Sequence, residues 1–270
     1  MTPILCLAFL AGLLFGSFLN VCIYRIPRDL SIVAPRSFCP ECGKQLSWWQ
    51  NLPLLSYLLL RGRCRQCRER ISWRYPLVEL VTGGLFLLIA KEFGLAPKAL
   101  KWVVFESLLL ILFWTDAEER ILPDEVIIFG SAAALACCFF IPLPGLMGTL
   151  IAPKESVVVQ SIVNALAGAA LLAIPIWLIG ALYGRLRRRE ALGLGDVKLL
   201  AMIGLFLGLE HGLLAITIGT VAGALFGVFY VAITKKDVAS YELPFGSFLC
   251  VGAALLPLIF TWSRGALAVP

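Results

Sequence analysis

Gly193-Leu194-Gly195-Asp196-Val197-Lys198-Leu199-Leu200-Ala201-Met202-Ile203-Gly204-Leu205-Phe206-Leu207-Gly208-Leu209-Glu210 is an apolar run with a carboxylate at its head. In a water-soluble chain Asp196 would be an ordinary loop acid. At the edge of a bilayer a charge is costly and needs a reason. Gly193 and Gly195 stand just before it, where a backbone can take unusual dihedrals or be approached closely. From Gly195 to Glu210 is 16 residues, about 24 Å of helix at ~1.5 Å per residue, against a hydrocarbon core of ~30 Å. A helix that short thins the bilayer, snorkels its ends or draws its terminus inward. Asp196 is therefore expected slightly below the lipid surface, where water reaches it.

The rest of the chain supports the membrane reading. Of 270 residues, 60% are hydrophobic and 15% charged, against about 25% charged in an average soluble domain. Residues 1–24, 126–153, 156–184, 212–234 and 243–263 carry no charged side chain, and apolar runs above ~18 residues read as transmembrane helices. Eight helices are expected, at about 4–24, 76–91, 99–116, 126–142, 157–183, 195–210, 212–233 and 244–262. The fold class is an all-α polytopic membrane protein with a small insert after the first helix. Its expected divisions are a first helix (1–24), the insert (25–75) and a helical core (76–270). A cleaved signal peptide would carry a basic n-region, but no Lys or Arg precedes the first run, so that helix is expected to be retained.

Charge then orients the bundle. Of the 23 Lys and Arg, 18 fall in the connections after the first, third, fifth and seventh helices. By the positive-inside rule those connections are cytoplasmic and both termini face outward. The net charge of +6 is thereby explained by topology, and no nucleic-acid partner is implied. Pro142, Pro144 and Pro153 mark an outer loop at 142–156. Gly219, Gly223 and Gly227 recur at four-residue spacing, as in a close-packing helix face. No clear internal repeat or low-complexity tract is visible.

The insert carries Cys39-Pro40-Glu41-Cys42 and Cys64-Arg65-Gln66-Cys67. Two C-x-x-C knuckles supply four thiolates for a tetrahedral zinc site. Disulfides are the alternative, and they are rare in the reducing compartment to which the topology assigns this loop. A segment of about fifty residues has little core of its own, so a metal staple is physically sensible. Such a closed site holds a fold and leaves no position for chemistry. Cys6, Cys22, Cys137, Cys138 and Cys250 lie in apolar runs and read as small core residues. The single histidine, His211, is expected in an outer turn, away from the charged face.

Asp116 ends the third helix, before Glu118, Glu119, Pro123, Asp124 and Glu125. Only 14 residues separate it from Lys101, so it too is expected just inside the membrane surface, on the same face as Asp196. Two nearby carboxylates in a poorly hydrated site cannot both ionise easily and share one proton. That is the arrangement of aspartic proteolysis, in which one carboxylate activates water and the other, protonated, polarises the scissile carbonyl. Lys198 reads as a cytoplasmic anchor or a group that tunes Asp196. Two other classes compete. A transporter or channel would use Asp116, Asp196, Glu79 and Glu106 as an ion relay, but a relay should span the membrane depth. A zinc-stapled scaffold would have no catalysis.

The order of motifs identifies a resemblance over nearly the whole chain: Gly16-Ser17-Phe18-Leu19-Asn20-Val21, Tyr24-Arg25 with Pro27, the paired C-x-x-C module, and Arg74-Tyr75-Pro76-Leu77-Val78-Glu79-Leu80. Asp116 with Pro123-Asp124, Gly193-Leu194-Gly195-Asp196-Val197-Lys198-Leu199 and Pro244-Phe245-Gly246 complete it. The chain resembles the bacterial type IV prepilin peptidases, the leader peptidase/N-methyltransferases of the G-x-G-D aspartic class. The family often has proline where Ser247 stands, a departure expected to matter little. The resemblance implies an inner-membrane enzyme that cuts the basic leader of prepilins or pseudopilins of type IV pili or type II secretion on the cytoplasmic side. It then methylates the new N-terminus with S-adenosylmethionine. Asp116 and Asp196 correspond to the catalytic aspartates, and the cysteine module marks the methylating form. Glu79, a polar group in an apolar run, is a candidate for contact with cofactor or amine, or for an interhelical hydrogen bond. Glu118, Glu119, Asp124 and Glu125 are candidates to attract a basic leader.

Overall fold

A computed structural model describes residues 2–187, 193–234 and 244–267. Its helices are α1 (Thr2–Arg25), α2 (Leu55–Leu59), α3 (Arg74–Phe93), α4 (Pro97–Glu119), α5 (Asp124–Cys138), α6 (Leu146–Ile151), α7 (Val157–Arg187), α8 (Leu194–Thr234) and α9 (Phe245–Leu267). Among the described residues there is no strand, only isolated bridges at Phe38–Gln45 and Arg63–Arg70. The chain divides into two compact units, residues 1–111 and 112–270. Among the described residues three helices, at Pro3–Arg28, Val157–Leu186 and Leu194–Thr234, are long and apolar enough to cross a membrane.

In the first unit α1 packs along α3. Gly12 and Gly16, one helical turn apart, let the backbones touch. A Cβ on Gly12 would lie 2.8 Å from Gly83 Cα, and one on Gly16 would lie 2.7 Å from Glu79 Cα. Small residues at this spacing are how helices associate where lipid supplies no hydrophobic drive. The end of α1 is tied to the insert by Arg25, whose guanidinium donates to the carbonyls of Ser31 and Pro35, both at 2.7 Å.

The insert does contain a repeat, against the expectation of none, and its backbone geometry repeats with it. Cys39 N–H donates to Lys44 O (3.0 Å) and Gly43 N–H to Cys39 O (2.9 Å); Cys64 N–H donates to Glu69 O (2.8 Å) and Arg68 N–H to Cys64 O (3.0 Å). The two hairpins thus match residue for residue. Each needs a left-handed residue after its second cysteine: Gly43 at φ 66° in one, Arg68 at φ 63° in the other. The sequences carry the same repeat, Cys-x-x-Cys-x-x-x-Leu/Ile-Ser-Trp at 39–48 and again at 64–73, with glycine at the left-handed position once and arginine once.

In the second unit α8 packs against α7 on one side and α9 on the other. Its 41 residues would make a rod of about 62 Å, twice a bilayer core. The helix instead breaks at Gly208, with φ 73° and ψ −175°, a region essentially reserved for glycine. A Cβ on Gly212 would lie 3.9 Å from Gly204 Cα, whereas eight residues of straight helix would separate the two by about 12 Å. The chain therefore reverses here and α8 is two antiparallel helices. The reversal expected between 210 and 212 sits at Gly208, so His211 lies past it, within helix. The reason is steric: Gly168 of α7 packs onto the break, its Cβ position 2.7 Å from Gly208 C, and Asn164 Nδ2 is 2.5 Å from a Cβ on Gly208. Gly208→Ala should therefore destabilise the protein by about 2–3 kcal/mol, read as a lower unfolding midpoint in detergent.

The loop at 142–156 contains α6, anchored just past the reversal of α8 by Leu146 N–H donating to Glu210 Oε1. The glycines at 219 and 223 form a packing face, as their spacing suggests. Their Cβ positions meet Phe248 O at 2.6 Å and the Phe248 ring at 3.2 Å on α9.

Candidate active site and metal centre

Helix α4 is apolar from Leu108 to Trp114, so Asp116 is carried at the end of a buried stretch and is only 6% exposed. The helix ends as Arg120 turns to φ 59°, its N–H donating to Asp116 O at 3.0 Å. Pro123 at φ −62° leads into α5, whose first turn carries Asp124 and Glu125, favourable signs for a helix N-terminus.

Two glycines and one leucine gather the remaining groups. A Cβ on Gly195 would lie 3.2 Å from Leu122 Cβ. One on Gly246 would lie 3.0 Å from Leu122 Cδ1 and 3.1 Å from Asp116 Cγ. Leu122 is thus a spacer with the start of α8 and the start of α9 closed onto it, and both closures require the absence of a side chain. Asp196, half-buried at the head of α8, has its N–H on Gly193 O at 3.1 Å and lies within electrostatic reach of Asp116. Lys198 turns away from the acids of the pair and clamps Asp124, its Nζ 2.8 Å from both oxygens. Both side chains are about half exposed, so the pair contributes little to stability; it aligns α5 with α8.

Sequence reasoning missed one member of this site. Ser247, set aside as a neutral departure, donates from its backbone N–H to Asp116 Oδ2 at 2.6 Å. Its hydroxyl lies 2.7 Å from the same oxygen and 3.0 Å from Phe113 O. The only sequence signal is that Ser247 follows Pro244-Phe245-Gly246 at the start of a helix.

In the first unit, the four sulfurs of Cys39, Cys42, Cys64 and Cys67 lie within 4.8 Å of one another, with Cys39 and Cys67 Sγ 3.9 Å apart. A tetrahedron of thiolates at ~2.3 Å from zinc has edges of about 3.8 Å, whereas a disulfide is ~2.05 Å long. All four are free thiols. Neighbouring backbone amides, that of Cys67 foremost, draw the Cys64 thiol down to about 7, while burial pushes the Cys39 thiol up to about 11. The cluster fits a tetrahedral metal. Glu79 of α3 is buried, and its Oε2 accepts from Leu54 N–H at 2.8 Å; the observed bond is to the segment leading into α2. Asn20 Nδ2 likewise donates to Tyr75 O at 3.0 Å. Glu106 is buried with no hydrogen-bond partner at either carboxylate oxygen.

Comparison with known proteins gives a consistent picture. A profile described as the bacterial peptidase A24 N-terminal domain matches residues 10–93, the stretch that holds the cysteines and Glu79. One described as the type IV leader peptidase family matches residues 103–228, which include both aspartates. A protein of Myxococcus xanthus named prepilin leader peptidase/N-methyltransferase is 40% identical over 228 residues, covering 84% of this chain and 63% of its own length. Proteins of the same name are 33% identical in Pseudomonas putida, over 91% of this chain and 87% of the relative, and 35% identical in Bacillus subtilis, over 93% and 92%. The chain thus spans under two thirds of the first relative and most of the other two. No solved structure matches.

Proposed function

The chain belongs to the type IV leader peptidase family, and on that premise we propose that Asp116 and Asp196 are its hydrolytic pair. The protein is a membrane-embedded prepilin leader peptidase and N-methyltransferase, acting on prepilins or pseudopilins. The observation that supports the pair is the closure of Gly195 and Gly246 onto Leu122, which draws the head of α8 and the head of α9 to the end of α4. One carboxylate takes a proton from water as the oxygen attacks the scissile carbonyl; the other, protonated, donates to that carbonyl oxygen. The relay reading has no support from the family.

The site is assigned to the cytoplasmic face of the inner membrane, where the basic connections lie and where a leader preceding a membrane helix would meet it. The acids Glu118, Glu119 and Glu125 stand at the same end of α4 and the start of α5, suited to a basic leader. Residues 25–75 form a zinc module, with Cys39, Cys42, Cys64 and Cys67 as ligands, and the aspartate core lies within 76–270. For methylation, S-adenosylmethionine supplies an electrophilic methyl group. Glu79 is assigned to that half by position: its carboxylate ties the segment before α2 to α3 and so holds the wall beside the cysteine module.

Incubation of the purified protein with a co-resident prepilin and S-adenosylmethionine should give, by mass spectrometry, a substrate lacking its leader and heavier by one methyl group at the new N-terminus. An intact leader under these conditions would overturn the assignment; removal without methylation would leave a peptidase only.

A further inference from the structure

We propose that Ser247 is a positioning residue for Asp116, holding its carboxyl group in one orientation through both of its protonation states. The inference rests on Asp116 being a member of the hydrolytic pair. It comes from counting hydrogens. Phe113 O can only accept, and the Ser247 hydroxyl has one proton to give. Yet the hydroxyl oxygen is 2.7 Å from Asp116 Oδ2 and 3.0 Å from Phe113 O. When Asp116 is charged, the hydroxyl donates to Oδ2. When Asp116 has taken a proton on Oδ2, that proton is donated to Ser247 Oγ, and the hydroxyl turns its own hydrogen to Phe113 O. Either way two oxygens 2.7 Å apart stay bonded, and no buried donor is orphaned.

The backbone completes the grip. Ser247 N–H, in the first turn of α9, points at the same Oδ2 at 2.6 Å. Among the described residues, both hydrogen bonds to the Asp116 side chain therefore fall on one oxygen. Oδ1 accepts none among the described residues. Ser247 is itself 3% exposed, so bulk water does not compete for its hydroxyl. Gly246 makes the approach possible, since a Cβ there would meet Asp116 Oδ2 at 3.2 Å. Rotation of the carboxyl would break two bonds. The grip costs nothing in the second state because serine, unlike a pure donor such as an amide N–H, can reverse its hydrogen bond.

Ser247→Ala removes the hydroxyl and keeps the N–H, so the start of α9 stays bonded to Asp116. Ser247→Thr keeps a hydroxyl able to reverse. In leader cleavage by the full-length protein, Ala should lower kcat about tenfold with KM unchanged within twofold. Thr should recover kcat to within about threefold of the parent. A kcat for Ala equal to that of the parent would overturn the proposal. So would a loss in Ala that Thr fails to restore while both variants unfold at the parent's midpoint, since that would mark a purely steric role. Asp116→Asn, assayed alongside, separates this inference from its premise: if that variant cleaves normally, the hydrolytic reading fails and the Ser247 role with it. If it is inactive while Ser247→Ala is unimpaired, only the Ser247 role falls.

Discussion

Asp116→Asn and Asp196→Asn should each reduce leader cleavage by at least about a thousandfold while leaving the protein folded in the membrane. The amide keeps the size of the carboxyl group, so the contact with Gly246 and the spacing set by Leu122 survive. At position 116 the amide oxygen can still accept the Ser247 N–H, which is 2.6 Å from Oδ2. Proton chemistry is what disappears: an amide neither takes a proton from water nor donates one as a neutral acid does. Cleavage rates measured on a purified prepilin, with unfolding midpoints as the control, decide the matter. A variant that cut normally would remove its residue from the pair. Mature pilin offered to either variant should still accept a methyl group from S-adenosylmethionine, because the methylating half is assigned to the cysteine module and α3. Loss of methylation together with cleavage would show instead that the two activities depend on the same acids.

The second large effect concerns the metal. Cys39→Ser with Cys64→Ser should abolish one bound zinc per chain, measured by elemental analysis of protein purified without chelators. The two exchanged cysteines come from different hairpins, so neither knuckle keeps a complete pair. The insert has few buried side chains besides its cysteines, among them Gln50 at 8% exposure. With so little core, binding free energy of the metal is in effect folding free energy, about 10–16 kcal/mol for structural zinc in small domains. The doubly substituted insert should therefore become sensitive to limited proteolysis between residues 25 and 75. Zinc retained at one per chain would rule out the four-thiolate site. Cleavage activity should fall much less than methylation, since Asp116 and Asp196 belong to the other compact unit.

Much of this was open to reading from the chain itself, for local reasons. Transmembrane character follows from runs of apolar residues. Four thiolates follow from two C-x-x-C pairs, because two intervening residues bring both sulfurs of a knuckle to one side. The shared face of Asp116 and Asp196 follows from counting basic residues in alternate connections. Each of these properties is set by residues near one another in sequence. The position of the helix reversal was less legible. A polar Glu210-His211 pair marks the turn by composition, yet the chain reverses at Gly208, because Asn164 and Gly168 of α7 leave room for backbone alone.

What the sequence by itself determined is the class of molecule: a helical membrane protein with a four-cysteine insert. Only the tertiary structure decided which partners the polar side chains take. Lys198 serves Asp124 across 74 positions, Glu79 serves the backbone of Leu54 across 25, and Ser247 grips Asp116 across 131. The physical reason is the same in each case. Hydrophobic period and charge count are summed along a segment and tolerate local variation. A hydrogen bond depends on a few tenths of an ångström between residues that only packing brings together, and here that packing was set by glycines whose missing side chains let helices close.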